Sequence, residues 1–318
     1  VKAIVVRGEK HEPVLCWADV PDPVPGPEEV IINVQAAGVN RADLLQARGV
    51  YPPPAGASEI LGLEIAGVVE NTGERVCALV PGGGYAQKAA VHREMLLPLH
   101  EDWSFARGAA VPEAWLTAFV NLFIEGGLVE GETVLIHAGA SGVGTAAIQL
   151  ARDAGARVLV TAGSSAKTDR CLELGAHAAF NYKETDFAAE TMKATGGHGV
   201  DLILDCVGGS YLAKNISVLA RFGRLVNIGL LGGPKGELSM AAVLMKRLRI
   251  AGSTLRSRPR PEHILITRMF RERYWDKFAS GELQTVIGRT YPAPQAGLAH
   301  EYMASNQNTG KIVLLMEE

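Results

Sequence analysis

Several things are scarce in this 318-residue chain, and each shortage excludes something. There are four cysteines, Cys16, Cys77, Cys171 and Cys206, far apart and with no C-x-x-C pair. That argues against a disulfide framework and for a reducing compartment. The eight histidines are scattered, and no two Cys or His residues share the spacing of a metal site. Charge of one sign is also missing: 31 basic and 34 acidic residues leave a net charge of −3 with no long run of either. Neither nucleic acid nor a membrane is therefore an expected partner. No apolar run is long enough to cross a bilayer, and the opening VKAIVVRGEKHEP lacks the apolar stretch of a signal peptide. A cytoplasmic protein is expected.

What is plentiful is glycine, 36 residues spread along the chain, and apolar side chains, 47% of the total. The length suggests two domains. The most informative stretch is TVLIHAGASGVGTAAIQLARDAG, Thr133 to Gly155. Val134, Leu135 and Ile136 read as a strand. Gly139, Ala140, Ser141, Gly142, Val143 and Gly144 form a glycine-rich turn. Ala146, Ala147, Ile148, Leu150 and Ala151 recur at helical spacing until Gly155. Strand, turn and helix N-terminus together make an anion site, with backbone N–H groups and the helix dipole aimed at a phosphate. The dinucleotide fingerprint falls on Gly139, Ser141 and Gly144, with serine in place of the middle glycine.

A cofactor with a free ribose 2′-hydroxyl meets an acidic residue about 20 positions past the first glycine. None stands between Thr161 and Ser165. Gly163 and Ser164 leave room for a 2′-phosphate, and Lys167 follows one turn on, which predicts NADP(H) over NAD(H). The plainer alternative is that Ser164 and Ser165 cap the next helix and Lys167 is solvated.

Before this stretch, short apolar runs broken by Pro and Gly read as β structure. Strands are expected at Lys2–Val6, Glu29–Gly38, Leu61–Glu70, Arg75–Leu79 and Tyr85–Val91, closing into a compact barrel. Pro112–Ile124 reads as a helix. Strand–helix alternation over about 131–253 then implies a parallel sheet covered on both faces. Its strands are Thr133–His137, Arg157–Thr161, Asp201–Cys206, Arg224–Gly229 and Leu248–Gly252, with helices including Ala166–Leu174, capped by Ser165, and Ser239–Lys246. A long helix over Glu262–Ala279 and strands at Thr285–Tyr291 and Lys311–Met316 return the chain to the first domain.

Asn40 and Asp43 sit at a strand-to-helix transition. They cap the helix, or face a cleft at the nicotinamide, and the two readings are compatible. Tyr51, on the bend GVYPPP, hydrogen-bonds a substrate carbonyl or covers apolar surface. His137 reads as a packed core residue and Cys206 as a packing cysteine, since no base is paired with it.

The segments AGVNRADLLQARGVYPPP, ILGLEIAG, PGGGYAQ, VPEAWLTAF, HAGASGVGTAAIQLA, GAHAAFNY, LDCVGGSY and NTGKIVL resemble the zinc-independent quinone oxidoreductases of the medium-chain dehydrogenase/reductase superfamily, relatives of zeta-crystallin. Within these the likeness is to the tumour-suppressor-inducible branch. The resemblance covers nearly the whole chain. It implies an α/β fold in which a Rossmann doubly wound parallel sheet (116–257) is inserted into a partly closed, GroES-like β-barrel catalytic domain (1–115 and 258–318). It implies NADPH, a small-molecule quinone substrate and a homodimer or homotetramer. By position, Ala140 to Gly144 hold the pyrophosphate and Ser164, Lys167 and Tyr182 surround the 2′-phosphate. Gly229, Leu230, Leu231, Ser253, Thr254 and Leu255 lie near the nicotinamide. Thr117 and Asn308 approach the cofactor, and Asn40, Asp43 and Tyr51 line the substrate pocket.

Zinc-dependent relatives carry Gly-His-Glu where this chain has Gly62-Leu63-Glu64, and a four-cysteine lobe that is absent here. The loop from Glu70 to Arg75 is also shorter than usual. The expected reaction is hydride transfer from NADPH to a quinone in an interdomain cleft. Solvent protonates the product, since no acid/base pair is evident, and Asn40 and Tyr51 at most polarise the carbonyl. The alternatives are reduction of an alkenal or enone double bond, and an NADPH-binding structural or regulatory protein with little turnover.

Overall fold

The computed structural model describes residues 1–316; residues 317–318, at the end of the expected catalytic segment, lie outside the described residues. The chain divides into two compact units, Val1–Leu116 with Arg256–Glu318, and Thr117–Leu255. The first segment carries β1 (Lys2–Glu9), β2 (Glu12–Asp19), β3 (Glu29–Val39), α1 (Arg41–Ala47), β4 (Glu64–Val69), β5 (Arg75–Leu79), β6 (Lys88–His92), β7 (Leu96–Pro98), α2 (Phe105–Ala109) and α3 (Pro112–Phe119). The second unit follows with β8 (Thr133–Ile136), α4 (Gly142–Asp153), β9 (Arg157–Ala162), α5 (Ser165–Glu173), β10 (Ala178–Asn181), α6 (Phe187–Ala194), β11 (Val200–Asp205), α7 (Leu212–Val218), β12 (Leu219–Asn227), α8 (Met240–Lys246) and β13 (Arg249–Gly252). The chain ends with α9 (Arg260–Ala279), β14 (Ile287–Pro292), α10 (Ala296–Ala304) and β15 (Lys311–Leu315).

The first unit is built on β3. Its N-terminal half pairs β6 and its C-terminal half pairs β15, both antiparallel, while β4 runs antiparallel along its middle. The register against β4 shifts between Val34 and Ala36, so a bulge marks the point where β3 turns from one neighbour to the other. The sheet order is β14-β15-β3-β4-β5-β7, with β6 alongside β3. One long bent strand thus serves two sheet faces, the usual device of a small barrel.

The second unit is a six-stranded sheet in the order β10-β9-β8-β11-β12-β13, and every pairing is parallel. Numbered within the unit this is the order 3-2-1-4-5-6 of a Rossmann fold. Val134, Leu135, Ile136, Val158, Leu159 and Val160 are buried, as strands covered on both faces require.

Several boundaries differ from the sequence expectation. The strand expected at Leu61 begins at Glu64, because Gly62 has φ +99° and turns the chain just before it. Expected strand Tyr85–Val91 is regular only as Lys88–His92. The helix expected over Pro112–Ile124 is α-helical to Phe119 and then widens into a π-turn over Val120–Glu125. The helix expected over Ala166–Leu174 starts at Ser165, which makes Ser164, not Ser165, the cap residue. Strands β2, β7 and β10 have no counterpart in the periodicity: β2 is part-exposed along most of its length, β7 has three residues, and β10 is alanine-rich.

The returning segment is fastened by charge. Lys311, at the start of β15, is almost fully buried. Its Nζ donates to Val39 O at 3.0 Å, to Asn40 Oδ1 at 2.6 Å and to Glu64 Oε1. Glu64, fully buried, also accepts from Asn40 Nδ2 at 2.8 Å, and its other oxygen accepts the Glu113 N–H at 2.8 Å. Lys311→Met leaves a carboxylate buried without its cation. It is expected to destabilise the first unit by about 3–5 kcal/mol in urea denaturation, with Glu64→Gln/Lys311→Met recovering part of the loss. A loss of less than about 1 kcal/mol would place the pair among interactions that contribute little.

Candidate active site

In the second unit, β8 ends in the expected turn and α4 begins at Gly142. Ser141 is the N-cap, its Oγ accepting the Gly144 N–H at 3.0 Å. A side chain at Gly139 would sit 2.8 Å from Val160 Cβ, so that glycine is required for β8 and β9 to pack under the turn. Ala140, Ser141, Gly142, Val143 and Gly144 therefore lie together at the N-terminus of a twelve-residue helix, the geometry that receives a pyrophosphate.

The end of β9 lies beside this turn. Gly163 and Tyr182 are neighbours: a Cβ on Gly163 would come within 2.7 Å of the Tyr182 hydroxyl. Ser164 occupies the cap position of α5 but makes no side-chain capping bond, so the capping account explains its place and not its hydroxyl. Tyr182 is 43% exposed, and Lys167 follows on the first turn of α5. Fold proximity thus brings Gly163, Ser164 and Tyr182 together, with Lys167 on the adjoining helix. These residues fit a phosphorylated adenosine ribose: small, hydroxyl-bearing, cationic and without a carboxylate.

Beneath them Asp205 organises the carboxyl ends of the strands. It accepts from the Val207 and Gly208 N–H groups, from Asn215 Nδ2 and from Asn227 Nδ2, at 2.7 to 3.3 Å. Asn227 Nδ2 also donates to Gly229 O at 3.0 Å, which shapes the loop carrying Leu230 and Leu231. Those two leucines are 58% and 53% exposed, an apolar pair held in the open. Ser253, Thr254 and Leu255 follow β13, and the Ser253 N–H donates to Asn227 O. Thr117 lies on α3, its carbonyl taken by Asn121.

His137 is buried and is not a ligand. Asn215 donates to Asp205, so its Oδ1 accepts from His137 Nε2 at 2.7 Å, and Nδ1 accepts from Thr161 at 2.9 Å. Burial holds its pKa below the ordinary histidine value, which matches a neutral ring. Cys206 approaches the His137 carbonyl with its sulfur. Among the described residues, no group of three or more His, Cys, Asp or Glu could hold a metal ion.

In the first unit, the expected substrate residues divide. Asn40 caps α1, and its amide is committed to Glu64 and Lys311. Asp43 is 0% exposed. It accepts from the Asn40 N–H at 2.8 Å, the Gly62 N–H at 3.2 Å and the Tyr85 hydroxyl at 2.9 Å. Its oxygens are thus spent on the interior, where it holds α1 and the Gly62 turn. Tyr51 is half-buried, and among the described residues nothing hydrogen-bonds its hydroxyl. Its ring lies against Arg256, with the guanidinium carbon 5.5 Å from the centroid. Asn308 precedes β15 and donates to Gly310 O at 3.1 Å.

Two residues beside Tyr51 were not singled out in the sequence. Arg256 is only 4% exposed, donating to Pro81 O at 2.8 Å and to Gln46 Oε1 at 2.7 Å. Glu113, on the first turn of α3, has its carboxyl pushed up to about 8 by burial and then by the Glu64 carboxylate. The one sequence signal for Glu113 was its place in VPEAWLTAF, and for Arg256 its place next to the Pro259 boundary.

Two family profiles match the chain: one described as an alcohol dehydrogenase GroES-like domain over residues 26–101, and one as a zinc-binding dehydrogenase over residues 142–271. The chain is 32% identical over 312 residues to a quinone oxidoreductase of Mus musculus, covering 94% of this chain and 92% of that one. Quinone oxidoreductase of Thermus thermophilus, solved also in its complex with NADPH, matches with a TM-score of 0.86 and 34% identity, covering 99% of this chain and 100% of that one. Quinone oxidoreductase of Escherichia coli complexed with NADPH matches with a TM-score of 0.86 and 26% identity, covering 99% and 98%.

The Asp43–Tyr85 pair has a third member. Tyr85 gives its hydrogen to Asp43, so the 3.2 Å contact to His300 is a donation from His300 Nε2. Burial drops His300 from 6.5 to about 4 and lifts Asp43 from 3.8 to about 6. Stability from His300 is complete above about 6.5 and is lost as pH falls through 4. Stability from Asp43 is complete below 3.8 and is lost as pH rises through 6. The two offset each other on acidification. Asp43→Asn removes one side, so its denaturant midpoint should fall more steeply than the wild type between pH 6.5 and 4. The extra loss should be on the order of 3 kcal/mol. Parallel pH profiles for the two proteins would contradict this.

Proposed function

The chain belongs to the quinone oxidoreductase family of the medium-chain dehydrogenases/reductases, and from that premise we propose that it is an NADPH-dependent reductase of quinones that works without zinc. The observation that carries the cofactor assignment is the end of β9, where Gly163, Ser164 and Tyr182 meet with Lys167 one turn on and no acid stands. Relatives solved with NADPH support the same reading.

Bound NADPH supplies a hydride from its nicotinamide ring. The protein supplies binding and order. Ala140, Ser141, Gly142, Val143 and Gly144 take the pyrophosphate, and Ser164, Lys167 and Tyr182 take the 2′-phosphate. Gly229, Leu230, Leu231, Ser253, Thr254 and Leu255 serve the nicotinamide end, with Thr117 and Asn308. Exposed leucines there exclude water once covered, and a dry site strengthens every polar contact in it. Tyr51 offers its hydroxyl to the acceptor carbonyl, and Asn40 acts by holding α1 through Glu64 and Lys311. Zinc independence is supported by Leu63, which stands buried in the expected ligand position, and by Glu64, whose oxygens are taken by Lys311, Asn40 and Glu113.

The proposed assembly is a homodimer. Strand β13 is the edge of its sheet, and Ile250 on it is exposed. Next to it α8 has no buried residue, with Leu244 and Met245 72% and 80% exposed. An open edge flanked by apolar side chains is where a second copy pairs. Leu244→Glu/Met245→Glu should run as a monomer by light scattering while the wild type runs as an oligomer; a monomeric wild type removes the proposal.

NADPH oxidation at 340 nm, with an ortho-quinone and an alkenal as parallel acceptors and NADH as the control donor, tests the function. Fast quinone-dependent loss of NADPH is expected. Activity with the alkenal alone would move the chain to the double-bond reductases. Binding of NADPH without turnover of either would point to a structural or regulatory protein. Lys167→Ala/Tyr182→Ala should weaken NADPH binding about tenfold or more and leave NADH binding unchanged, because only the 2′-phosphate contacts are lost. Equal effects on both nucleotides would count against the assigned 2′-phosphate site.

A further inference from the structure

The first unit has a partly open cavity of about 590 Å³, lined in part by Ile60, Val80, Pro81, Met95, Glu113 and Arg256. Most cations around it face an acid: Arg258 faces Glu262, Arg260 faces Glu29 at 3.1 Å, and Lys88 faces Glu70 at 2.7 Å. Arg256 is different. Its two hydrogen-bonded acceptors are a carbonyl and an amide oxygen, both neutral. Its remaining terminal nitrogen is buried with no partner. A buried guanidinium with an unused N–H is costly to keep unless something arrives to accept it.

Glu113 lines the same cavity. The charged and titratable groups around it are Glu64 on β4, Asp43 on α1, Lys311 on β15, Arg256 and Tyr51. Burial and the Glu64 carboxylate outweigh the two cations, so the carboxyl keeps its proton at neutral pH. The cavity lining thus holds a cationic N–H donor and a neutral carboxylic acid, with the ring of Tyr51 against the guanidinium.

Hydride addition to a quinone or enone places negative charge on its oxygen, and that oxygen needs a donor and then a proton. We propose that Arg256 binds the acceptor oxygen on which this charge develops, and that Glu113 is the proton donor to it. The inference rests on the reductase reading above. The hydride brings two electrons and one hydrogen to the acceptor. The O–H bond of Glu113 breaks, an O–H bond forms on the acceptor oxygen, and the Glu113 carboxylate is left beside Arg256. Water then returns the proton to Glu113. Protonation is internal to the protein rather than a matter of bulk solvent.

The pH profile of kcat/KM for an ortho-quinone tests this. The wild type should be level to about pH 7 and fall above about 8, as the acid form of Glu113 is lost. Glu113→Gln keeps the shape but holds no transferable acid proton. It should lose about 10²-fold at pH 7 and lose the alkaline limb with it. Arg256→Gln should lose about tenfold or more in kcat/KM and keep the limb. A second readout needs no turnover: in ¹³C-glutamate NMR of the ligand-free protein, a carboxyl should titrate near pH 8 and vanish in Glu113→Gln. A wild-type rate and limb in Glu113→Gln, or a Glu113 carboxyl titrating below pH 6, overturns the proposal. If NADPH binds but no acceptor is reduced, the reductase reading has failed. Calorimetry with 4-hydroxybenzoate then decides the site alone: binding by wild type that is lost in Arg256→Gln supports the Arg256 anchor, and no binding to wild type overturns it.

Discussion

The first unit depends on one buried ion pair. Taking Glu64 and Lys311 out of water costs several kcal/mol for each, and their attraction offsets this only if every remaining donor and acceptor is met. Here they are met by neighbours from all around the fold. Lys311 spends its hydrogens on Glu64, Asn40 and the Val39 carbonyl, and Glu64 takes the Asn40 amide and the Glu113 backbone. The pair therefore ties β3, α1, β4, α3 and β15 at one point. It also sets the register of a chain segment that returns after an entire inserted unit, which local preference could not do.

The same pair governs the chemistry around it. The Glu64 carboxylate raises the proton affinity of Glu113, while Lys311 pulls the other way and burial decides the balance. A short distance off, Asp43, Tyr85 and His300 form a chain in which two buried groups shift in opposite directions. Both clusters show the rule of a low-dielectric interior: the form without charge is favoured unless a partner is in contact. Arg256 is an exception, since its guanidinium stays charged and its contacts are neutral.

The second unit solves its problem with backbone rather than side-chain charge. Gly139 allows two strands to pack beneath the turn, and Ser141 caps a helix whose N-terminal N–H groups and dipole suit an anion. Asp205, through four donors, fixes the loops at the carboxyl ends of the strands, where a doubly wound sheet binds ligands.

Most of this second unit is legible along the chain. The apolar run before the glycine turn, the helical spacing after it and the missing acid near Ser164 are local features, and local features survive without knowledge of the fold. Helix α1 and the family motifs are legible for the same reason. Short or half-exposed strands such as β2 and β10 are not, because periodicity needs length and a buried face. The contacts of Asp43 are not legible either: a carboxylate at the start of a helix looks alike whether it faces a pocket or the interior, and only packing sets it against Gly62 and Tyr85. Arg256 and Glu113 carry no signal in spacing. Their proximity, the loss of water around them and the unused N–H arise when distant segments close over one cavity. Local order encodes which elements form; long-range packing alone sets how much water each polar group keeps, and with it the chemistry of the site.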